Sequence, residues 1–308
     1  MVYFPILEAV VLFAISSPVV ATAIKRDFDD LLYHVTFPAT PAADLVKPDW
    51  IPVPADFVTS ANKREAYPGF NTTRGYQPGV EERNVLGDDN RFLWEGTDYP
   101  FKTQGRVTFN SSPTSGVICS GVLIGPRHVL TARHCVGDGT WTNGRFAPSY
   151  DNGERFGSAG VTGVITDPDY NYGYLSPCWI KNDYAILILD RRIGDEVGYM
   201  FLFDVPNPAY FNQPILNSCG YPGDKGATQL WCQYGRTPWG YGGCDTTGPV
   251  TTDIDAISGQ SGSAVWQQRP DGSLWLWGVV SVVSSASTVI ASGDVMLLGF
   301  KFAIAAFP

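Results

Sequence analysis

The sequence predicts an all-β protein built from short antiparallel strands, and three observations carry that expectation. The 308-residue chain holds 33 Gly and 23 Pro, a density of turn formers that suits short strands better than long helices. From about residue 102 onward, short runs rich in β-branched and aromatic residues recur between those turns. No strand-helix-strand rhythm accompanies them, so the pattern fits an antiparallel barrel or sandwich and argues against a parallel sheet.

The N-terminus comes first. An apolar stretch from Val2 to Val20, interrupted by Glu8, ends in the small residues Ala21, Thr22 and Ala23, which reads as a secretory signal peptide over 1–23, cut after Ala23. Residues 24–84 contain no cysteine, are rich in Pro and charge, and lack sustained periodicity. They are expected to form a pro-region that serves processing or folding. Basic pairs stand at Lys25-Arg26 and Lys63-Arg64, the second opening "KREA", which resembles the sites cut by kexin-type processing proteases.

The strand-like runs follow: "GRVTF" (105–109), "GVICSGVLIG" (116–125), "HVLTA" (128–132), "AILILD" (185–190), "PILNSCGY" (214–221) and "LWLWGVVSVV" (274–283). One helix is expected at the end. Ser292-Gly293-Asp294 can start it, and "VMLLGFKFAIAAF" supplies apolar residues for packing on the core. Lys301 and the short length argue against a membrane span.

Composition narrows the function. With 44% hydrophobic residues the chain can bury a real core. Thirty acidic against 21 basic residues give a net charge of −9, which disfavours a phosphate-binding surface and makes nucleic acid an unexpected partner. The six cysteines, at 119, 135, 178, 219, 232 and 244, can form three disulfides in the oxidising compartment that a signal peptide implies. Sequons at Asn71 and Asn110 are candidate glycosylation sites of an extracellular protein.

A serine hydroxyl becomes a nucleophile only when a base can take its proton and a carboxylate orients that base. The chain has three histidines, His34, His128 and His134. His134, in "LTARHCV", follows a strand-like run and stands beside Cys135, with Cys119 16 residues earlier. That spacing lets neighbouring strands bring the two cysteines together, and a Cys119–Cys135 disulfide would lock the loop that presents the imidazole. Asp183 stands at the mouth of the apolar run 185–189, where burial would suit it to accept a hydrogen bond from the ring. In "SGQSGSAVW" (258–266), Ser261 lies between Gly259 and Gly262; small neighbours permit a tight turn in which the amides of Gly259 and Ser261 converge on an oxyanion. The three residues run His, Asp, Ser along the chain. An α/β-hydrolase would run Ser, acid, His around G-x-S-x-G, and the last glycine of that elbow is absent here. No H-E-x-x-H zinc motif occurs, and neither a metal nor a cofactor is expected.

At this point the sequence resembles the bacterial glutamyl endopeptidases and their fungal relatives, a secreted branch of the chymotrypsin-like serine proteases. The resemblance runs from about Val85 to Ser281 through "VLGDDNR" (85–91), "IGPRHVLTARHC" (124–135), "NDYAILIL" (182–189), "GYPGDK" (220–225) and "IDAISGQSGSAVW" (254–266). It implies two six-stranded antiparallel Greek-key barrels with a C-terminal helix over 85–308, acting as a secreted monomer on protein or peptide substrates. It assigns His134 as general base, Asp183 as its orienting carboxylate, Ser261 as nucleophile and Gly259 as a donor of an oxyanion amide.

Departures from that family concern specificity and activation. The expected substrate pocket holds Asp255, Ala256, Val280 and Ser281. The positions the family uses for glutamate selectivity are Val280 and Ala256, whose side chains offer no hydrogen bond. Asp255 occupies the offset of the trypsin-like pocket floor, which predicts cleavage after Arg or Lys; a small or apolar preference is the other reading. Gln260 precedes the nucleophile where the trypsin-type activation switch needs an aspartate, so that ion pair has no partner. Removal of the pro-region near Arg83-Asn84-Val85 is the expected route instead. The readings set against this one are a protease-like protein that only binds, a glutamyl-specific enzyme and a secreted esterase on the same triad.

Overall fold

The computed structural model describes residues 32–39, 41, 44–54, 85, 87–167, 176–201, 205–284 and 286–308. The expected signal peptide, both basic pairs, Asn71 and the Arg83-Asn84 junction lie outside the described residues. The strands in chain order are β1 Tyr33–Thr36, β2 Asp49–Pro52, β3 Phe92–Leu93, β4 Gln104–Asn110, β5 Ser115–Gly125, β6 His128–Thr131, β7 Thr142–Pro148, β8 Ala159–Thr166 and β9 Ala185–Leu189. They continue as β10 Leu216–Gly220, β11 Trp231–Arg236, β12 Pro238–Tyr241, β13 Val250–Thr252, β14 Ala264–Gln268, β15 Leu274–Val283 and β16 Thr288–Ala291.

The first barrel closes on itself. The order β5-β4-β7-β8-β9-β6 is completed by pairing of β6 with β5, so six antiparallel strands form a ring past which the start of β5 and the end of β8 extend with a free side, taken by β1 and β2. In the second sheet β12-β13-β16-β15-β14-β10-β11, the ends β11 and β12 are consecutive in the chain, separated by Thr237 alone. One bent strand therefore serves both edges and closes a second six-stranded ring. The bend is held by Asp253, whose carboxylate accepts the Thr237 amide at 2.5 Å and pairs with Arg236. This is the chymotrypsin-like two-barrel architecture, with β3 added on β11.

The chain's apolar runs are continuous because both faces of several strands are buried. In β5, Val122 and Ile124 join the cluster shared with Tyr184, Tyr221 and Trp266, while Val117, Cys119 and Leu123 join the one filled by Val107, Phe109 and Leu187. A third cluster of Leu216, Val250, Val265, Trp277 and Ile290 fills the second barrel. The C-terminal helix, Asp294–Ala306, lays Met296, Leu297 and Ala303 on the shared cluster. Its Gly299 lets the helix approach the Tyr184 ring, since a Cβ there would stand 3.0 Å from that ring.

Two findings differ from the sequence expectation. Residues 33–36 and 49–52, inside the stretch read as a pro-region without sustained periodicity, are strands, and β2 pairs with β8 in parallel. Each is four residues long, so that even the alternation of Tyr33 and Val35 with His34 and Thr36 is too brief to stand out, and each takes its partner from a first-barrel strand far along the chain.

His128 begins β6 and is fully buried. Burial pushes its pKa down to about 4 from 6.5, with backbone groups of Ala303 and Phe307 opposing in part. Because the folded value lies below the unfolded one, its contribution to stability is complete above pH 6.5 and is lost as pH falls toward 4. At full expression the loss is about 3 kcal/mol. Urea midpoints measured at pH 7 and pH 4.5 should separate clearly for the native chain and converge for His128→Gln.

Candidate active site

The junction of the two barrels brings together residues from four elements. β6 ends at Thr131 and the chain enters a short 3-10 turn, Arg133–Val136, that carries His134. The Cys119–Cys135 disulfide, 2.06 Å between sulfurs, ties that turn to β5. Arg133 lies over the Trp50 ring at 4.3 Å and donates to the Gly137 carbonyl, fixing the other side of the turn.

Asp183 precedes β9. A five-residue helix, Pro177–Lys181, with Ser176 capping it through the Trp179 amide, stops just before it. The Cys178–Cys244 disulfide and the Lys181 pair with Asp245 anchor this helix to the β12–β13 connection of the second barrel, and the Lys181 pair with Asp294 ties it to the start of the C-terminal helix. Asp183 is fully buried. Its Oδ1 accepts the His134 amide at 2.9 Å, and its Oδ2 lies 2.7 Å from His134 Nδ1 and accepts the Ser281 hydroxyl at 2.5 Å. These contacts hold the ring edge-on to the carboxylate and leave Nε2 directed away from it. His134 Nε2 is buried and makes no hydrogen bond among the described residues.

Ser261 sits in the turn before β14, 5% exposed. Gly259 has φ +92° and Gly262 φ +81°, conformations that favour glycine. Side chains are excluded there as well: a Cβ on Gly259 would stand 2.5 Å from the Tyr221 carbonyl oxygen, and one on Gly262 2.2 Å from that of Ser120. The turn is stitched to both barrels. Ser120 donates its amide to the Ser261 carbonyl at 2.8 Å and its hydroxyl to the Gly259 carbonyl at 2.8 Å, while accepting the Tyr221 amide at 2.9 Å. The Ser261 carbonyl oxygen lies 3.7 Å from Cys135 Sγ, next to His134. The Cys219–Cys232 disulfide braces the β10–β11 pair beside it.

Of the expected pocket residues, Ala256 and Val280 lie together in the core of the second barrel. Asp255 is fully buried; its Oδ2 accepts the Asn90 amide at 3.0 Å, and its backbone amide and carbonyl are both bonded to the Gln233 side chain. Ser281 stands behind the Asp183 carboxylate. Asn110 ends β4 and is buried.

Sequence reasoning missed Arg91. Its side chain is fully buried and donates to Asp89, to both oxygens of Asp224 and, through Nη1 at 2.9 Å, to Gln260 Oε1. Gln260 Oε1 also accepts the Ile257 amide. Burial opposes the charge on Arg91, but Asp89 and Asp224 outweigh it and hold its pKa above the ordinary value. The hydrogen bonds from Arg91 hold the Asp89 carboxyl well below the usual range.

With that geometry in place, the relationships of the chain can be read. A profile of the trypsin family matches residues 95–293, from before β4 to the start of the C-terminal helix. The chain belongs to the trypsin family. It is 31% identical over 198 residues to the Glutamyl endopeptidase of Bacillus licheniformis, covering 60% of this chain and 55% of that protein. This trypsin-family chain thus spans about half the length of that curated relative. It is 41% identical over 76 residues to Inactive serine protease 35 of Macaca mulatta, 23% of this chain and 16% of that protein. Among solved structures it is similar to one of Glu endopeptidase in complex with MPD, with a TM-score of 0.59, 27% identity, and coverage of 72% of this chain and 100% of the other.

Proposed function

We propose that this trypsin-family protein is a secreted serine endopeptidase in which Ser261 is the nucleophile, His134 the general base and Asp183 its orienting carboxylate. One observation carries the reading: Asp183 holds His134 Nδ1 at 2.7 Å and leaves Nε2 uncommitted, while the adjacent Cys135 Sγ lies 3.7 Å from the carbonyl of Ser261 in its glycine-flanked turn. Ser261 Oγ attacks the scissile carbonyl as His134 Nε2 takes its proton; the oxyanion forms beside the amides of Gly259 and Ser261. The proton passes to the leaving amine, the peptide bond breaks, and water attacks the acyl-enzyme by the reverse use of the same base. Three disulfides support an oxidising, extracellular setting. Residues 24–84 are proposed as the pro-region and 85–308 as the protease domain, working as a monomer without cofactor.

For the cleaved residue, an acidic side chain at position 255 supports Arg or Lys, and the apolar side chains of Ala256 and Val280 weigh against Glu. Because Asp255 already accepts the Asn90 amide, the preference for a basic residue is expected to be moderate. Cleavage of a diverse peptide mixture by the purified mature protein, with the residue before each cut tallied, should return Arg and Lys ahead of Leu and Ala. A tally dominated by Glu, the preference named in the Bacillus licheniformis relative, overturns this assignment. The second reading, a protein that binds without cleaving, is favoured by the similarity to Inactive serine protease 35. Covalent labelling by a fluorophosphonate separates the two, because only a working triad reacts.

A further inference from the structure

Residues 32–37 run along β5 and pack against the turn that carries Ser261. β1 pairs antiparallel with the start of β5, Tyr33 opposite Ile118 and Thr36 opposite Ser115, and the Phe37 amide continues the ladder to the Thr114 carbonyl. The end of β1 that lies nearest the reaction centre is its N-terminal end, because Ile118 leads directly into Cys119 and Ser120, the residues tied to Cys135 and to Ser261. From there the strand runs outward in the N-to-C direction. That is the direction taken by substrate residues that follow a scissile bond, since the chain after the cut leaves the nucleophile toward its own C-terminus.

The side chains agree with this placement. Leu32 is 5% exposed and joins the buried cluster that contains Ala132, Cys119 and Cys135, beside His134. Tyr33 covers the nucleophile turn: a Cβ on Gly259 would stand 3.5 Å from Tyr33 Cβ, and one on Gly223 2.4 Å from the Tyr33 ring. Tyr33 and Val35 face the shared core while His34 and Thr36 face outward. Phe37 packs on Gly116, where a Cβ would meet its ring at 2.3 Å.

Resting on the endopeptidase reading above, we propose that residues 32–36 occupy the leaving-group half of the substrate cleft, so that the chain blocks extended peptides in cis. The groove they fill is a strand-binding site on the edge of β5. It takes an extended peptide with a large aliphatic residue directly after the cut, against the Cys119–Cys135 disulfide, and an aromatic residue next, on the Gly223 and Gly259 backbone. Cutting the chain between residues 54 and 85 does not by itself empty the groove, because β1 on β5 and β2 on β8 still hold the fragment.

The test uses the full-length chain and two substrates that share an acyl sequence taken from the peptide mixture: a methyl ester ending at the scissile bond, and a peptide continuing four residues beyond it. Leu32→Asp/Tyr33→Asp is expected to raise kcat/KM for the long peptide at least tenfold while ester hydrolysis and fluorophosphonate labelling stay unchanged. Equal peptide rates in the two forms overturn the proposal. If the double variant does not fold, the wild-type chain gives the answer: as residues 32–53 are lost during maturation, followed by mass spectrometry, the ratio of peptide to ester rates should rise at least tenfold, and a constant ratio overturns the proposal. Failure of the fluorophosphonate to label any form would overturn instead the endopeptidase reading on which the inference stands.

Discussion

Ser261→Ala is expected to abolish labelling by a fluorophosphonate and to lower kcat/KM for a peptide substrate by about 10⁴ or more. The side chain is small and sits in a turn whose conformation is set by Gly259, Gly262 and the Ser120 bonds, so the fold should survive and the loss should be chemical. His134→Ala should cost as much, because Ser261 without a base is an ordinary alcohol and residues acting as one unit do not add. Asp183→Asn is the more discriminating variant. Asp183 accepts from the His134 amide, the His134 ring and the Ser281 hydroxyl together. An asparagine can present only one oxygen to those groups and turns its amide donors toward one of them, so the ring is held in the wrong tautomer or released. The expected loss is about 10⁴ in kcat, read by steady-state kinetics on protein whose thermal unfolding is checked in parallel. A loss below tenfold for Ser261→Ala would mean that the hydrolysis belongs to another residue.

The residues proposed to react stand out in the sequence because each carries a local mark: His134 lies between a strand-like run and a cysteine, Asp183 stands at the mouth of an all-apolar run, and Ser261 has a glycine on one side and another two residues away. The barrels were legible for a similar reason, since runs such as 116–125 bury both faces and are apolar apart from Ser120. What supports the site was not legible, because those residues act on partners far away in the sequence. Ser120 bonds Gly259 139 positions away, Ser281 bonds Asp183 98 positions away, and Arg91 bonds Gln260 169 positions away. A serine in a strand or an arginine in a loop has no local pattern that announces a partner at such distances. The strands at 33–36 and 49–52 were hidden differently: their pairing depends on an edge of the first barrel that exists only once that barrel has formed.

Arg91→Met should lower kcat about tenfold, slow fluorophosphonate labelling in proportion and leave KM within about twofold. Gln260 stands where a trypsin-type switch would need a carboxylate, and the structure supplies a different partner for that position. The Arg91 guanidinium spans Asp89, Asp224 and Gln260 from a fully buried side chain, and Gln260 Oε1 in turn accepts the Ile257 amide at the start of the nucleophile turn. Arg91 acts as a positioning residue: its buried guanidinium fixes the Gln260 side chain that closes the turn bearing Gly259 and Ser261. Methionine fills the volume without donating, so Gln260 keeps only the Ile257 bond and the turn samples geometries in which the two oxyanion amides diverge. The stability cost is about 2 kcal/mol, reduced from that of a fully buried pair because Asp89 and Asp224 stay partly exposed and can rehydrate. Arg91→Lys should recover little, since one ammonium cannot place separate donors on Asp89, Asp224 and Gln260 at once. The labelling rate per folded molecule decides the matter. A residue that only stabilised the fold would lower the unfolding temperature and leave that rate unchanged, whereas one that sets the nucleophile turn must slow acylation well below the unfolding transition.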